Sequence, residues 1–212
     1  MKKPLLILYL VCICISAVNA QVLGLKGGLS FAKGRYVLYE VESSSGSLFG
    51  VNTGIVGEVP LSDALSLGSG ICLIKKGTKS DVYKIPVRYL EFPINFIYRA
   101  DFVSWKLFAQ AGPYVGVGIS AKKKSNITDK IKFGPGASEY RRMDAGINIG
   151  CGFEINNLQI GVNYGYGLLN ISHAYGEVIR NRVFSVSAVY YIEDLGDFFR
   201  SIGDLLDRKS VV

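Results

Sequence analysis

The chain has 212 residues, a formal net charge of +7 and 49% hydrophobic residues, with 25 glycines, 13 tyrosines and 11 phenylalanines. This length favours a single domain. The positive charge is mild and dispersed, which argues against a nucleic-acid-binding domain, because such domains concentrate cations on one face or helix. After residue 20 the sequence contains no run of 18 apolar residues, so it predicts no membrane-spanning helix.

The first twenty residues have the pattern of a secretory signal peptide. Lys2 and Lys3 precede an almost wholly apolar stretch, residues 5–18, and Val18-Asn19-Ala20 provides a cleavage site. The alternative is an N-terminal membrane anchor, but the apolar stretch is only about fourteen residues long, which is short for a spanning helix. We therefore predict that residues 1–20 are removed and that the mature chain begins at Gln21.

The mature region alternates apolar and polar residues with a period of two, which is the signature of β-strands. In the segment 89–99, for example, Leu90, Phe92 and Ile94 alternate with Glu91 and Asn95. The same alternation predicts about eight strands in all. They are Val22–Ala32, Phe49–Val59, Leu65–Leu73, Tyr89–Arg99, Trp105–Ser120, Arg142–Ile155, Leu158–Leu168 and Arg182–Ile192.

The predicted connections alternate between short and long. Short connections fall at 60–63, 100–101 and 156–157, and long ones fall near 33–47, 76–84, 121–138 and 172–181. Outer-membrane barrels have short periplasmic turns and long extracellular loops, whereas a soluble β-sandwich has no reason to sort its loops in this way. The sequence therefore predicts an all-β fold, an eight-stranded antiparallel up-and-down transmembrane β-barrel, over residues 21–192.

The two faces of the predicted strands differ in the direction expected for a membrane barrel. One face is uniformly apolar and suits lipid, whereas a soluble barrel such as a lipocalin has its apolar face inside. The other face is small and polar and carries four cations and four anions, which would pair in the lumen. This predicted lumenal charge network consists of Lys26, Glu58, Glu91, Arg99, Lys106, Arg142, Asp144 and Glu154. Among these residues, Glu91, Asp144, Arg99 and Arg142 could alternatively form a proton or substrate site.

Two features depart from the regular pattern. Pro93 and Pro113 lie inside predicted strands, where we expect local bulges or kinks because proline cannot donate to a neighbouring strand. The last segment, residues 193–212, loses the period of two and spaces its apolar residues like one face of a helix. We expect a short amphipathic helix at the periplasmic rim or, alternatively, a frayed tail.

Several motifs resemble one known family. The segment Tyr89-Leu90-Glu91-Phe92-Pro93-Ile94-Asn95 is followed by Ala111-Gly112-Pro113-Tyr114-Val115-Gly116, and later by Asn163-Tyr164-Gly165-Tyr166-Gly167-Leu168-Leu169-Asn170-Ile171. In order and spacing these segments resemble the PorT-like outer-membrane β-barrel family of Bacteroidetes. The resemblance implies an outer-membrane barrel and, through the family's namesake, an accessory role in a protein-secretion system. Such barrels usually end at an aromatic residue of the last strand, whereas here about twenty residues follow Ile192.

The sequence offers little for catalysis or metal binding. Only Cys72 and Cys151 remain after residue 20, too far apart in sequence to indicate a metal site or a disulfide framework. His173 is the only histidine, and Ser172 and Glu177 lie close to it in sequence. Small lipid-A hydrolases of the outer membrane use a serine, a histidine and an acid near the outer rim. Neighbouring residues on a strand point to opposite faces, however, so adjacency does not assemble a nucleophile and a base. We predict no catalytic, cofactor-binding or metal site.

A cluster of lysines in the third long connection could contact the anionic head groups of lipopolysaccharide, although a solvated loop would also be lysine-rich. The cluster consists of Lys122, Lys123, Lys124, Lys130 and Lys132. The expected partners are therefore outer-membrane lipid, lipopolysaccharide and an envelope protein complex, with no nucleic acid.

The leading functional hypothesis is a non-enzymatic, monomeric barrel of the outer membrane of a Gram-negative bacterium, structural or accessory to a surface or secretion complex. The alternatives are a narrow porin for small solutes and, third, a lipid-A-modifying enzyme.

Overall fold

The computed structural model describes residues 22–38, 41–44, 46–79, 83–125, 128–134, 136, 139–173 and 177–192. These residues form ten strands. In chain order they are β1 (Val22–Leu38), β2 (Val41–Ser44), β3 (Leu48–Pro60), β4 (Leu65–Lys79), β5 (Lys84–Asp101), β6 (Lys106–Lys124), β7 (Thr128–Ile131), β8 (Met143–Ile155), β9 (Leu158–Gly167) and β10 (Glu177–Ile192). Within the described ranges, no helix is long and apolar enough to cross a bilayer. The predicted signal peptide and C-terminal tail lie outside the described residues and stay predictions.

Eight long strands close into a barrel. Their order is β10-β9-β8-β6-β5-β4-β3-β1, and β10 pairs with β1 along their lengths, from Leu23–Ile192 to Leu38–Glu177. All of these pairings are antiparallel between consecutive long strands, which confirms the predicted eight-stranded up-and-down barrel. Following the registers once around the barrel gives a stagger of about ten residues, which tilts the strands by about 40° from the barrel axis.

The short turns all lie at one end of the barrel. They connect β3 to β4, β5 to β6, and β8 to β9, and the first and last described residues lie at the same end. In the last of these turns Asn156 has a φ of 50°, a left-handed conformation that asparagine tolerates better than most residues. We call this end the turn end and the opposite end the loop end. The short strands β2 and β7 extend the sheet at the loop end by pairing with β1 and β6.

The strands are longer than the sequence predicts. Seven of the eight span 13 to 19 residues and β9 spans 10, whereas a tilted strand needs about 9–11 to cross a bilayer. Residues 33–38, 76–79, 84 and 121–124 were predicted as connections but belong to strands. In this extension Gly77 has a φ of +128°, where a side chain would be strained.

The prolines do not produce the predicted bulges. The pairing of β5 with β6 keeps the same register on either side of Pro113, as the pairs Pro93–Tyr114 and Phe96–Ala111 show. The register instead shifts between Arg88 and Tyr89, toward the loop end. β5 accommodates Pro93 and β6 accommodates Pro113, because each proline interrupts pairing locally without inserting a residue.

The outward face near the turn end and in the middle of the barrel is apolar. Ile55, Ile94 and Ile149 project outward, and Ile149 is 61% exposed. Aromatic residues border this apolar band on both sides, as girdles do in outer-membrane barrels. Toward the turn end these are Tyr98, Trp105, Phe153 and Tyr190; toward the loop end they are Phe31, Phe49, Tyr166 and Phe184. The ring of Phe31 lies 5.6 Å from that of Phe49 and 6.5 Å from that of Phe184.

The two faces exchange polarity near the loop end. On β5 the outward residues change from Leu90 to Arg88 and Lys84, while inward positions change from Glu91 to apolar residues. The inward apolar residues form a buried cluster that closes the loop end of the lumen. Its members are Ala32, Leu48, Ile74, Ile85, Val87, Tyr89, Ala121 and Val183, with Tyr83, Ile131, Phe133 and Tyr140 packed against them. Above this reversal the barrel has the polarity of a soluble barrel, so the reversal marks the membrane surface.

Candidate functional site: the lumen and the basic outer face

A first charge cluster fills the lumen near the turn end, around Arg99. The Nη2 atom of Arg99 lies 2.7 Å from Oε2 of Glu58, and its Nε atom lies 3.1 Å from Oε2 of Glu154. The three side chains are only 9% to 12% exposed. One guanidinium therefore bridges carboxylates from β3 and β8, a task that suits its several fixed donors.

Other polar groups complete this cluster. Nη1 of Arg99 donates to Oγ of Ser66 at 3.2 Å, and the hydroxyl of Tyr191 donates to Oε1 of Glu58. Beside it, the ring of Phe108 lies where Cβ atoms on Gly152 and Gly161 would stand, 2.7 and 2.6 Å from those positions. Glycine at these positions thus makes room for an aromatic ring that fills the lumen.

A second charge cluster lies toward the loop end, around Lys76. Its Nζ atom is 2.5 Å from Oε2 of Glu91 and 3.0 Å from Oδ2 of Asp144. Lys76 is 1% exposed and Asp144 is 0% exposed. Removing buried charges from water is costly unless they are paired and hydrogen-bonded, so these three side chains depend on one another.

Neighbouring side chains add contacts to the second cluster. Nδ2 of Asn181 donates to Oδ2 of Asp144 at 3.0 Å, and the hydroxyl of Tyr114 donates to the same oxygen at 3.4 Å. The Nζ atom of Lys76 also lies 3.9 Å from the ring centroid of Tyr114, within the range of a cation–π interaction.

Little space remains between the two clusters. The cavity there has a volume of about 20 Å³ and is lined by residues that include Lys26, Asn52, Glu91 and Asn163. That volume is about enough for one water molecule. Between the two clusters the lumen therefore has room for about one water molecule, as expected where side chains nearly fill an eight-stranded barrel.

The structure brings together some of the predicted network residues and not others. Glu58, Arg99 and Glu154 meet in one cluster, and Glu91 and Asp144 meet in the other. Lys26 lines the small cavity between them. The prediction of a single network of eight residues is thus replaced by two separate clusters.

Besides Lys26, two further predicted members lie outside both clusters, at the ends of the barrel. Lys106 is exposed at the turn end, 3.6 Å from Oδ1 of Asp101. Arg142 is exposed at the loop end, with its guanidinium carbon 5.6 Å from the ring centroid of Phe133. Sequence reasoning also missed Lys76, because residues 76–84 were predicted to be a loop. The sequence did contain a signal for Lys76: it follows Cys72 and Ile74 at intervals of two residues, and both of these point inward on β4.

The predicted lysine-rich loop is a strand pair. Lys122 lies opposite Lys130, and Lys123 lies opposite Asp129, in the pairing of β6 with β7. Successive residues of a strand point to opposite faces, so Lys122, Lys124 and Lys130 share the outward face. Lys123 lies on the other face, with its Nζ atom 5.2 Å from the ring centroid of Tyr83.

The structure also places the residues considered for catalysis and metal binding. Ser172 is 2% exposed, whereas His173 is partly exposed. Across the described ranges, no group of three histidine, cysteine, aspartate or glutamate side chains could hold a metal ion. Cys72 is buried in the lumen and Cys151 is exposed on the outward face, and both are free thiols.

A closed eight-stranded barrel with an apolar belt, aromatic girdles and a charged, filled interior is the architecture of a small transmembrane β-barrel. Residues 19–173 match the family described as "Outer membrane protein beta-barrel domain", and the chain belongs to this family. Membership places the protein in an outer membrane. No curated protein sequence matches the chain.

Several solved structures are similar to the chain. Ail, the attachment invasion locus protein of Yersinia pestis, is 15% identical, covers 81% of this chain and 98% of its own, and has a TM-score of 0.45. Neisserial surface protein A is 14% identical, with coverages of 79% and 96% and a TM-score of 0.47. The N-terminal β-barrel domain of Pseudomonas aeruginosa OprF is 13% identical, with coverages of 79% and 97% and a TM-score of 0.39.

Proposed function

We propose that this protein is a non-enzymatic outer-membrane barrel whose lumen does not conduct and which serves as a structural or accessory part of a surface or protein-secretion complex. One observation carries the proposal. Two buried charge clusters, around Arg99 and Lys76, occupy the lumen and leave a cavity of only about 20 Å³ between them.

The filled lumen argues against the porin alternative. A hydrated ion would have to displace Arg99 from Glu58 and Glu154 and then separate Lys76 from Asp144. Separating such buried pairs exposes uncompensated charges, each at a cost of several kcal/mol. The apolar cluster above Lys76 adds a further barrier at the loop end.

The environment of Ser172 argues against the lipid-A-modifying alternative. A serine nucleophile has to reach the substrate, and Ser172 is 2% exposed. Its backbone nitrogen donates to Oδ1 of Asn170 at 3.0 Å, and its backbone pairs with Tyr140. These contacts hold the segment as part of the wall that closes the loop end.

Two features support the accessory role. The motifs around Tyr89 and Asn163 resemble the PorT-like family of Bacteroidetes, which implies a connection with protein secretion. The extension of the barrel beyond the polarity reversal, with β2 and β7 at its edge, offers paired strands above the membrane for contact with another envelope protein.

Planar-bilayer recording tests the closed lumen. We expect the purified mature barrel to give no steady conductance, with a known porin prepared in the same detergent as the positive control. Steady single-channel current carried by the unmodified barrel would refute a filled lumen and favour the porin alternative.

Deletion of the gene tests the accessory role. We expect the deletion to lower the amount of proteins delivered to the cell surface, and complementation with the intact gene to restore them. Unchanged surface proteins in the deletion strain would count against a secretion role and leave a structural one.

A further inference from the structure

We propose that the outward face of β4, β5, β6 and β7 near the loop end binds the phosphate groups of a phosphorylated glycolipid in the outer leaflet. We name this surface the basic face. It consists of Lys75, Lys79, Lys84, Arg88, Lys122, Lys124 and Lys130. The proposal rests on the membrane setting of the barrel and is independent of the accessory role.

The registers of four neighbouring strands place these cations side by side. Lys75 lies opposite Arg88, and Lys79 lies opposite Lys84 in the pairing of β4 with β5. Lys84 in turn lies opposite Lys124 in the pairing of β5 with β6, and Lys122 opposite Lys130 in that of β6 with β7. Residues directly opposite one another share a face, so the seven cations form one continuous surface.

The basic face has no acidic residue among the described residues of its four strands. Asp129 of β7 lies opposite Lys123 and so faces the other way. Glu91 of β5 points into the lumen, where it contacts Lys76, and Asp101 lies at the far, turn end of the same strand. The face therefore lacks the alternation of charge that usually stabilises an exposed sheet.

Burial and neighbouring cations act together on Lys75 within the basic face. Burial first, and then repulsion from Lys124, Arg88 and Lys84, lowers the pKa of its ammonium group. The hydrogen bond from Nζ of Lys75 goes to the carbonyl oxygen of Phe49, at 2.7 Å, and not to a carboxylate. Anions bound at this surface would supply the missing negative charge.

The height of the basic face on the barrel selects the kind of anion. Directly below it the outward residues are apolar: Leu73 is 42% exposed and Phe92 38% exposed on the same strands as Lys75 and Arg88. The cations thus begin where the apolar band ends, at the level of lipid head groups. A lipid-borne phosphate reaches this level while its acyl chains cover the apolar band, which a soluble polyanion cannot do.

A cleft lies at the edge of the basic face, where β7 and β8 separate. Its volume is about 510 Å³, and its lining includes Lys122, Lys130, Lys132 and Arg142 together with Glu139. The carboxylate of Glu139 accepts a hydrogen bond from the backbone nitrogen of Gly136 at 2.9 Å, within its own segment. Ile119 also lines the cleft and is 56% exposed. A phosphorylated sugar with an attached acyl chain fits this combination of cations and an apolar edge.

Lipid binding by two charge-matched variants tests the proposal. The first variant replaces Lys79, Lys84, Lys122 and Lys124 of the basic face with glutamine, and the control replaces Lys33, Lys106, Arg141 and Arg180 elsewhere with glutamine. Each barrel in zwitterionic detergent is titrated with bisphosphorylated lipid A and with its dephosphorylated form, and bound lipid is counted by native mass spectrometry. We expect the dissociation constant for bisphosphorylated lipid A to rise about tenfold or more for the first variant, and to stay near the native value for the control.

Three results would overturn the proposal: equal weakening in the control variant, equal binding of the dephosphorylated lipid, or binding of a sulfated polysaccharide without binding of lipid A. Heat-dependent mobility on a gel shows whether each variant is folded. If the fourfold variant does not fold, Lys84→Gln and Lys124→Gln measured singly still have to weaken binding. Conductance is independent of this result, so failure here is distinguishable from failure of the closed-lumen proposal.

Discussion

The Nζ atom of Lys76 lies 3.0 Å from Oδ2 of Asp144 inside the barrel, although the two residues are 68 positions apart in the chain. Neither side chain is more than 2% exposed. The pair links β4 to β8 across the lumen, and Glu91 of β5 joins it. Three strands, of which only β4 and β5 are consecutive in sequence, thus share one buried charge.

Replacing Lys76 with methionine is expected to lower the free energy of unfolding by about 3–5 kcal/mol, because Glu91 and Asp144 lose the ammonium group that pairs with both and stay buried. Urea titration in detergent micelles, followed by far-UV circular dichroism, measures this change. Lys75→Met is the matched control, since Lys75 is the neighbour that points outward and, among the described residues, pairs with a backbone carbonyl and with no carboxylate.

A second variant separates lost charge pairing from lost packing. Combining Lys76→Met with Glu91→Gln and Asp144→Asn should recover most of the lost stability, because the buried acids are then neutral. A triple variant as unstable as Lys76→Met alone would contradict the electrostatic explanation.

Tyr191→Phe tests the cluster at the turn end. The hydroxyl of Tyr191 donates to Glu58, and its loss leaves a buried acceptor short of one donor, at a cost of about 1–3 kcal/mol. Tyr190→Phe on the same strand removes an outward hydroxyl and should change stability far less. Equal urea midpoints for the two variants would show that the Glu58 contact contributes nothing.

The polarity reversal predicts how charge is tolerated along the outer wall. Ile94→Arg places a cation in the middle of the apolar band and should destabilise the barrel in lipid bilayers by about 2–4 kcal/mol. Ser120→Arg lies opposite Arg88, above the reversal, and should cost about 1 kcal/mol or less, from the repulsion of two cations directly opposite one another. Unfolding from lipid vesicles measures both, and a similar loss for the two variants would show that the membrane surface is not where the polarity reverses.

The two free cysteines report on the two sides of the wall. A spin label on Cys151 should be relaxed by oxygen and not by a water-soluble nickel complex, because Cys151 is exposed within the apolar band. Cys72 is 3% exposed and should resist labelling in the folded barrel. A Ser120→Cys variant lacking both native cysteines is the control, and its label should respond to nickel. A nickel response at Cys151 would place β8 outside the bilayer.

The sequence was sufficient to predict the fold class because alternation is strong where the strands cross the bilayer. The outward series Leu90, Phe92 and Ile94 has one polarity throughout, and each short turn interrupts it clearly. Strand ends were harder to predict, since Lys84 and Arg88 face outward where Leu90 would lead one to expect an apolar residue. A prediction that requires apolar residues on the outward face therefore ends each strand at the membrane surface, although backbone hydrogen bonding between the strands continues beyond it.

The lumenal site was predictable only in part. The odd or even position of a residue in its strand, its parity, shows whether the side chain points inward, but not its height along the barrel axis. Lys106 and Arg142 have the parity of inward residues, yet they lie exposed at opposite ends of the barrel, away from the carboxylates of the two clusters. Height depends on the stagger of about ten residues accumulated around the barrel, which no single strand reveals. Lys76 was missed because its segment was predicted to be a loop, and its two acidic partners, from β5 and β8, become its neighbours only through the registers.

The last strand supplies one hydrogen-bond donor to each charge cluster: Tyr191 reaches Glu58, and Asn181 reaches Asp144. Until β10 meets β1, both carboxylates face the interior of an open sheet with their donor sets incomplete. In a partly inserted barrel, closure is therefore favoured by these two hydrogen bonds as well as by pairing of the backbone groups on its two edge strands. Docking of β10 would thus complete the donor sets of both charge clusters, at two different levels of the lumen.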